Sequence, residues 1–362
     1  MFLKRIFLIV IIIIHGMIHL FGFLKSFNLG DFTGIKAPIS QPAGLIWLLA
    51  FLLMLFTVVL IVFNKKSWWW WAIIAVLISQ ILIVNFWSDA KFGTIANLII
   101  LAAAIIAGLS WKLKQQYLKD VNAGFERQVR QDKSILTQED IQKLPELVQK
   151  YLHLTGSIGK SKVQNMKVTF QAEMRGKKQD WFKLQAEQHN YFDQSERLFY
   201  LDALVKGLPT AGYHCYKNGK ACMKIKLLSL FPVINASGEE MFEAETVTLF
   251  NDMCFLAPAT LINPRIQWKT LDNHSVQAFF TNRNTTISAT LFFNEKGELT
   301  NFESMDRYDM NEMEKYKFST PIRDYREING YRLASYGEAI WHYPEGEFVY
   351  GKYWVKDIRY NV

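Results

Sequence analysis

The chain has 362 residues, with 41 Lys and Arg against 33 Asp and Glu, so its formal net charge is +8. The basic excess lies within residues 1–133, whereas residues 134–362 carry 28 charges of each sign. A nucleic-acid-binding domain would show a basic face on its folded part, so the charge distribution excludes that class. A basic excess beside apolar segments is typical of membrane helices that contact anionic lipid headgroups.

Four apolar segments in residues 1–111 are long enough to cross a bilayer. A helix needs about 20 apolar residues to span a hydrocarbon core of ~30 Å. The segments are Ile6–Leu24, Gly44–Phe63, Trp68–Phe86 and Phe92–Trp111. They predict a four-helix transmembrane domain in residues 1–111, inserted as a multi-pass protein in the inner (cytoplasmic) membrane of a bacterium. The lipid bilayer is then the first predicted partner.

The basic residues near the helix ends predict the orientation of this domain. With the N-terminus inside, the inner side holds Lys4, Arg5, Lys65, Lys66, Lys112, Lys114 and Lys119. The outer side holds Lys25, Lys36 and Lys91. Four crossings return the chain to the inner side, so the soluble domain is predicted to be cytoplasmic.

His15 and His19 are the ionisable residues within the first segment, and their spacing of four places them on one helix face. Ionisable groups in a bilayer are candidates for function. They could bind a metal or haem, but two histidines without an acidic or cysteine partner form an incomplete site. Interhelical hydrogen bonding is the favoured interpretation, and no cofactor is predicted.

A charged helical linker, residues 112–143, is predicted to lead into a soluble strand-rich domain, residues 144–362. Thr137 and Asp140 have the spacing of a capping box. Alternating apolar residues predict strands at Val168–Met174 and Phe182–Ala186, and Asn218-Gly219 predicts a hairpin turn.

One helix, roughly Glu243–Leu256, interrupts the strands. Short connections indicate antiparallel pairing. The predicted fold class is therefore a four-helix transmembrane region plus an α+β soluble domain. The soluble domain would hold nine or ten strands in an antiparallel curved sheet or half-open β-barrel, with a few helices.

The three cysteines are Cys215, Cys222 and Cys254. Cys215 and Cys222 flank the hairpin turn, so a disulfide would form there in an oxidising compartment. Buried free thiols are the favoured interpretation.

No catalytic signature is present, which favours a protein that is not an enzyme. Gly159-Lys160-Ser161 resembles the end of a phosphate-binding loop, but Leu154 stands where that motif requires glycine. The soluble domain is rich in aromatic residues, which indicates either cross-strand packing or an apolar ligand site with charged anchors. The ligand-binding candidates are Trp181, Glu187, Trp268, Asp272, Arg307, Tyr308, Asp324, Tyr325, Arg326, Glu338 and Trp341.

Residues 144–362 resemble an uncharacterised bacterial family, a domain of unknown function. The likeness runs from Thr155-Gly156 through Trp181-Phe182 and Asp324-Tyr325-Arg326 to Gly337-Glu338-Ala339. This resemblance implies no activity. The stretch from His15 to Phe23 is similar to DoxX-like membrane domains. The curved sheet looks like periplasmic lipoprotein carriers, which lie on the side opposite to the one predicted here.

Three functional hypotheses follow from the sequence. The first is a membrane-anchored protein that binds a lipid or another apolar small molecule on the curved sheet. The second is a membrane redox, metal-binding or haem-binding component that uses His15 and His19. The third is a structural or assembly module that docks a protein partner, whose identity the sequence does not indicate.

Overall fold

The computed structural model describes residues 2–32, 34–128 and 134–362. The chain divides into two compact units, Met1–Lys112 and Leu113–Val362. The helices up to residue 128 are α1 Phe2–Ser26, α2 Gln41–Val62, α3 Trp68–Asn85, α4 Trp87–Ala90 and α5 Gly93–Arg127. All of these except α4 are long and apolar enough to cross a membrane. The four predicted apolar helices are thus present, and the last continues past Trp111 to Arg127.

The first unit is a bundle with an apolar interior and an apolar exterior. Ile12, Met54, Val76 and Ile100 are buried against one another. Many side chains that point away from the bundle are also large and apolar, as expected for helices surrounded by lipid. They include Phe7, Ile14, Leu49, Leu77, Leu98 and Ile99.

The second unit is dominated by strands. Two short helices precede them, α6 Gln138–Ile141 and α7 Glu146–Leu154. The first strands are β1 Asn165–Met174, β2 Phe182–Tyr191, β3 Glu196–Val205, β4 Leu208–Lys217, β5 Lys220–Leu227 and β6 Phe231–Ser237. Helix α8 Glu239–Phe255 and a 3₁₀ turn at Pro258–Ile262 follow. The later strands are β7 Ile266–Thr270, β8 Ser275–Asn282, β9 Thr285–Phe293, β10 Leu299–Ser304, β11 Tyr308–Asp309, β12 Glu314–Lys315, β13 Lys317–Ser319, β14 Ile322–Ile328, β15 Tyr331–Tyr343 and β16 Gly346–Tyr360.

Fourteen strands form one antiparallel sheet, and β11 and β12 form a separate ribbon. The order is β6-β5-β4-β3-β2-β1-β16-β15-β13-β10-β9-β8-β7, with β14 paired to β15. The order begins at β6 and ends at β7, so the sheet in the described residues is not a closed barrel. The antiparallel, curved architecture is confirmed. The predicted count of nine or ten was too low because strands such as β13 are too short to show alternation, and β6 contains Pro232.

The sheet curves around α8, which lies against what is called here the inner face. This face carries Val168 and Phe170 of β1, Leu184 of β2 and Leu201 of β3, all buried in the main core. Helix α8 contacts β5 and β6 near one end of the strand order and β9 and β10 near the other. The sheet has therefore wrapped its apolar face around one helix, which is the packing that buries both.

The end of α5 packs on the opposite, outer face of β2, β3 and β4. Tyr117 and Val121 of the helix are buried against Tyr191 and Tyr213 of the strands. The Tyr191 hydroxyl donates to the Val121 carbonyl at 2.7 Å, and the Tyr213 hydroxyl donates to the Asp120 carboxylate at 2.6 Å. The predicted helical extension of the linker is thus present as far as Arg127. Residues 129–133 of the predicted linker lie outside the described residues.

Local signals agree with the structure at several points. The capping box at Thr137 and Asp140 is confirmed, with both of its hydrogen bonds formed. Asn218 and Gly219 both have positive φ, as the predicted two-residue turn between β4 and β5 requires. The predicted helix near Glu243–Leu256 is α8, and it begins four residues earlier, at Glu239.

Candidate functional site

An ion-pair network attaches α8 to the inner face of the sheet. The Arg197 guanidinium on β3 donates from Nε to Asp252 at 2.8 Å and from Nη1 to Glu245 at 3.1 Å. Gln188 and Asn190 of β2 also donate to the Asp252 carboxylate. These five side chains are named the Arg197 network. All are buried, so the pairing has to compensate for the desolvation of each charge.

Charge pairing controls the ionisation of Glu245. Burial alone would raise the pKa of this carboxyl, but Arg197 and His214 lower it to about 2. His214 Nδ1 lies 3.4 Å from the Glu245 carboxylate. Glu245 is therefore ionised at neutral pH, and α8 is fixed on β3 and β4 by charge as well as by packing.

Away from α8, toward the turns that follow β1 and β3, the inner face is lined by apolar side chains that remain half-exposed. These residues share one face of β1, β2, β3 and β5, because Met174 pairs with Phe182 and the register continues through β3 and β4 to β5. The set, named the open inner face, consists of Met174, Phe182, Val205, Ile225 and Leu227. Half-exposed apolar side chains on a concave surface are suited to contact with an apolar chain.

An arginine lies among aromatic rings close to this surface. The guanidinium carbon of Arg307 is 4.2 Å from the ring centroid of Phe318 and 4.9 Å from that of Trp341. Its Nη1 donates to the Tyr350 hydroxyl at 2.9 Å. The Arg307 Nε atom is buried without a hydrogen-bond partner among the described residues. This Arg307 cluster therefore holds a cation whose buried Nε donor is not satisfied by any described residue.

Tyr353 links the open inner face to Arg197 and Arg307. Its hydroxyl contacts the Met174 sulfur at 3.7 Å, and its ring packs on Phe170. Burial raises the pKa of Tyr353, whereas the positive charges of Arg197 and Arg307 are both close enough to lower it. The apolar surface and the two arginines thus belong to one region of the inner face.

The family of the chain follows from a sequence comparison. The model of a family of unknown function, DUF6544, matches residues 134–353. The chain belongs to DUF6544. The matched region covers most of the strand-rich unit, so the predicted resemblance to a domain of unknown function is confirmed there. No curated protein matches this DUF6544 chain significantly.

Comparison with solved structures finds remote similarities. A LolA superfamily protein from Nitrosomonas europaea is 8% identical, and the similarity covers 60% of this chain and 92% of that one, with a TM-score of 0.36. A β-barrel-like protein of the DUF1849 family from Brucella abortus is 7% identical, with coverages of 56% and 99% and a TM-score of 0.17. Similarity this remote carries no argument about ligands.

Two of the eleven predicted ligand-binding residues, Arg307 and Trp341, come together in the DUF6544 domain. Trp181 lies instead in the β1–β2 connection, stacked under Arg175 and Lys352. Tyr308 lies on β11, beside Lys315.

Glu187 and Glu338 lie away from this site. The Glu187 carboxylate accepts a hydrogen bond from Tyr117 of α5. Glu338 accepts a hydrogen bond from Tyr336 and lies 3.6 Å from Arg323.

The other predicted residues serve turns and strand contacts. Asp272 caps the β7–β8 turn by accepting hydrogen bonds from His274 and Ser275. Trp268 packs against the main core. On β14, Asp324 has a positive φ, Tyr325 donates to the Leu299 carbonyl and Arg326 donates to the Val355 carbonyl.

The sequence analysis did not identify the residues of the Arg197 network. One signal was present, since Glu245 and Asp252 are seven residues apart and so lie on the same face of α8. The partner, Arg197, is the single basic residue of β3, a strand that also contains Glu196 and Asp202. Nothing in the sequence pairs a residue of β3 with a helix that begins more than forty positions later.

In the first unit, His15 and His19 belong to a buried hydrogen-bond network between helices. His15 Nε2 lies 2.9 Å from the Asn97 side-chain oxygen, and His19 Nε2 lies 2.7 Å from the Ser79 hydroxyl. Asn97 also donates to Gln80. Among the described residues no group of three or more His, Cys, Asp or Glu could hold a metal ion. This geometry is that of polar contacts between helices.

The Gly159-Lys160-Ser161 stretch lines an open surface depression of about 690 Å³ together with Tyr331 and Arg359. The Lys160 ammonium donates to the Gly330 carbonyl and lies 3.7 Å from the Tyr331 ring centroid. The lysine is thus engaged within the protein, unlike the lysine of a phosphate-binding loop.

The structure differs from the free-thiol expectation for two of the three cysteines. Cys215 and Cys222 are directly paired residues of β4 and β5, with Cα atoms 5.0 Å apart, and they form a disulfide. Cys254 on α8 is free and buried. Burial raises the pKa of the Cys254 thiol, so it remains protonated.

Proposed function

We propose that this DUF6544 protein is a membrane-anchored binding protein that holds an amphipathic ligand, such as a fatty acid, on its inner face. The observation that carries the proposal is the open inner face beside Arg307. An apolar chain would cover side chains that are now half-exposed, which is favourable by about 25 cal/mol per Å² of buried apolar area. The acidic group of the ligand would pair with the Arg307 guanidinium, and a shift of this side chain would bring its unsatisfied Nε to the ligand.

The four apolar helices supply the membrane anchor in this proposal, since each is long and apolar enough to span a bilayer. The ligand would then be taken from the membrane that holds the protein. The Arg197 network keeps α8 on one part of the inner face, so the ligand surface is limited to the strands beyond that helix.

Photo-crosslinking of the full chain in bilayer nanodiscs tests the proposal. A fatty acid with a diazirine near the end of its chain is expected to label peptides of β1 to β5. Ile225→Trp places a bulky ring on the open inner face and is expected to abolish this labelling. The matched control is Lys183→Trp, on the opposite face of the sheet, where labelling should be unchanged.

The acidic group is tested separately with Arg307→Leu. Loss of a charge-assisted hydrogen bond is expected to lower labelling by about tenfold. The methyl ester of the same probe should label wild type as weakly as the acid labels the variant. Label confined to the four apolar helices in every case would contradict the proposed function.

We further propose that the strand-rich unit lies on the oxidising side of the membrane. The charge bias predicts the cytoplasmic side, but disulfides are rare there because cytosolic thiols are kept reduced. One inner-side charge, Lys114, is also engaged with the Tyr117 and Tyr200 rings.

A thiol-trapping experiment on spheroplasts, in which the cysteines are alkylated after denaturation, checks this side. Two of the three cysteines should resist alkylation until a reductant is added, and external protease should digest the strand-rich unit. An unbonded Cys215–Cys222 pair in a protease-protected unit would instead support the cytoplasmic side.

A further inference from the structure

Two neighbouring hairpin ends of the sheet present exposed apolar side chains. They are named the rim hairpins and comprise residues 203–210, around the β3–β4 turn, and residues 225–234, around the β5–β6 turn. The Leu228 amide donates to the Pro209 carbonyl at 2.6 Å, so the two turns lie side by side. Their most exposed large apolar side chains are Leu208 at 40%, Leu230 at 49%, Phe231 at 56% and Val233 at 62%. An apolar patch at hairpin tips indicates a contact with an apolar partner.

The charged residues within the rim hairpins are all basic. From Ala203 to Gly238 the sequence contains five lysines and no aspartate or glutamate. Lys206, Lys224 and Lys226 lie in or beside the turns, and Lys217 pairs with Asp120 further along β4. Apolar side chains flanked by lysines are the chemistry that binds an anionic lipid surface.

The direction of α5 shows at which end of the sheet the rim hairpins lie. Arg127, the last residue of α5, pairs with Glu196 at the start of β3. Lys114, near the point where α5 enters this unit, lies 4.2 Å from the Tyr200 ring centroid, further along β3. From Tyr200 the strand continues for about 17 Å to Val205 and the turn. The rim hairpins thus lie at the end of the sheet that is nearer to Lys114 than to Arg127.

We propose that the rim hairpins are a bilayer-docking surface, in which Leu230 and Phe231 enter the interface of an anionic membrane and the neighbouring lysines contact lipid headgroups. The lysines and the exposed apolar side chains of the rim hairpins together favour an anionic lipid surface as the occupant. Because Val205, Ile225 and Leu227 belong both to a rim hairpin and to the open inner face, docking would place the proposed ligand surface next to the membrane. The docking itself does not require any ligand to bind there.

Site-directed spin labelling of the full chain in proteoliposomes tests this docking. Cys215 and Cys222 are bonded and Cys254 is buried, so a nitroxide attaches selectively at Leu230→Cys. In vesicles of phosphatidylcholine with phosphatidylglycerol, the label is expected to be accessible to oxygen and shielded from a water-soluble nickel complex. The matched position is Asn284→Cys, an exposed residue of the β8–β9 turn. That turn neighbours the β4–β5 turn through Arg283 and Gly219, at the other end of the sheet, so this label should remain in water.

Variants separate the apolar and charged contributions. Phe231→Asp should return the label at 230 to water, whereas Ile135→Asp, at another exposed apolar residue, should not. Changing Lys206, Lys224 and Lys226 to glutamine should lower the docked-to-undocked ratio by about fivefold per lysine, and pure phosphatidylcholine should have a similar effect on wild type.

Three results would overturn the docking proposal. The first is equal water accessibility of the labels at positions 230 and 284. The second is a label at 230 whose accessibility does not change with anionic lipid. The third is spin–spin broadening at 230, which would identify a second copy of the chain as the occupant. The nitroxide result and the crosslinking result are independent. If the rim hairpins do not dock but the inner face is still labelled, the docking proposal fails and the proposed ligand site stands. If the rim hairpins dock but the inner face is not labelled, the ligand site fails and the docking proposal stands.

Discussion

Replacing Arg197 with methionine is expected to destabilise the Leu113–Val362 unit by about 3–5 kcal/mol, because two buried carboxylates would lose their shared cation. Both partners, Glu245 and Asp252, are buried on α8. The loss should appear as a lower melting temperature of the full chain in detergent, by roughly 10 °C for a unit of this size. Near-ultraviolet circular dichroism would measure it.

The pH dependence gives this prediction a specific sign. The pKa of Glu245 is lowered to about 2 in the folded protein, below the value of about 4.3 for an unfolded chain. Its contribution to stability is therefore present above pH 4.3 and is lost as the pH falls toward 2. Because Arg197 is a main cause of the lowered pKa, this acid-dependent loss should be shallower in Arg197→Met than in wild type.

Two controls distinguish the network from a general effect of removing arginine. Arg359→Met breaks a surface pair with Asp357 and should change the melting temperature little, since exposed pairs contribute at most about 1 kcal/mol. Adding Glu245→Gln and Asp252→Asn to Arg197→Met should recover part of the lost stability by removing the unpaired charges. An Arg197→Met protein as stable as wild type would show that the ion pairs do not fix α8.

Replacing Gly124 with leucine is expected to destabilise the same unit by about 2 kcal/mol. Gly124 of α5 lies against Tyr191 of β2, and a Cβ there would lie 2.7 Å from the Tyr191 hydroxyl oxygen. Tyr191 is buried and donates to the Val121 carbonyl, so it cannot move aside without losing that hydrogen bond. Overpacking of this kind typically costs 1–3 kcal/mol.

Intrinsic helix propensity acts in the opposite direction at this position. Leucine is a better helix former than glycine by nearly 1 kcal/mol, so a net loss would identify the close approach as its cause. Asn122→Leu, on the exposed side of α5, is the matched control and should keep or slightly raise the melting temperature. If Gly124→Leu were as stable as Asn122→Leu, α5 would not be tightly packed on the sheet.

The architecture could be predicted in outline because its main signals are local. Long apolar runs identify the four helices, and strict alternation identifies β1 and β2. The order of the strands could not be derived in the same way. The pairing of β1 with β16 joins residues nearly 200 positions apart, and no period or turn signal in the sequence specifies it.

The candidate site could be predicted only in part for a similar reason. Arg307 and Trp341 were proposed from composition, and the structure brings them together with Phe318 and Tyr350. Glu187 was proposed on the same grounds but faces α5 on the outer side of the sheet. A charged residue on a strand gives no sign of which face it occupies until the register of its neighbours is known.

The position of β16 has a consequence for how the chain matures. Strand β16 leaves the ribosome after the other fifteen described strands, yet it lies in the middle of the sheet, hydrogen-bonded to β1 on one side and β15 on the other. Until it is synthesised, both neighbours keep open edges that can pair with other chains. Pairing of strands that lie so far apart in the sequence is slow. A premature stop codon before Gly346 would thus produce two separated half-sheets rather than a slightly shorter protein, and such a product should be degraded or should aggregate.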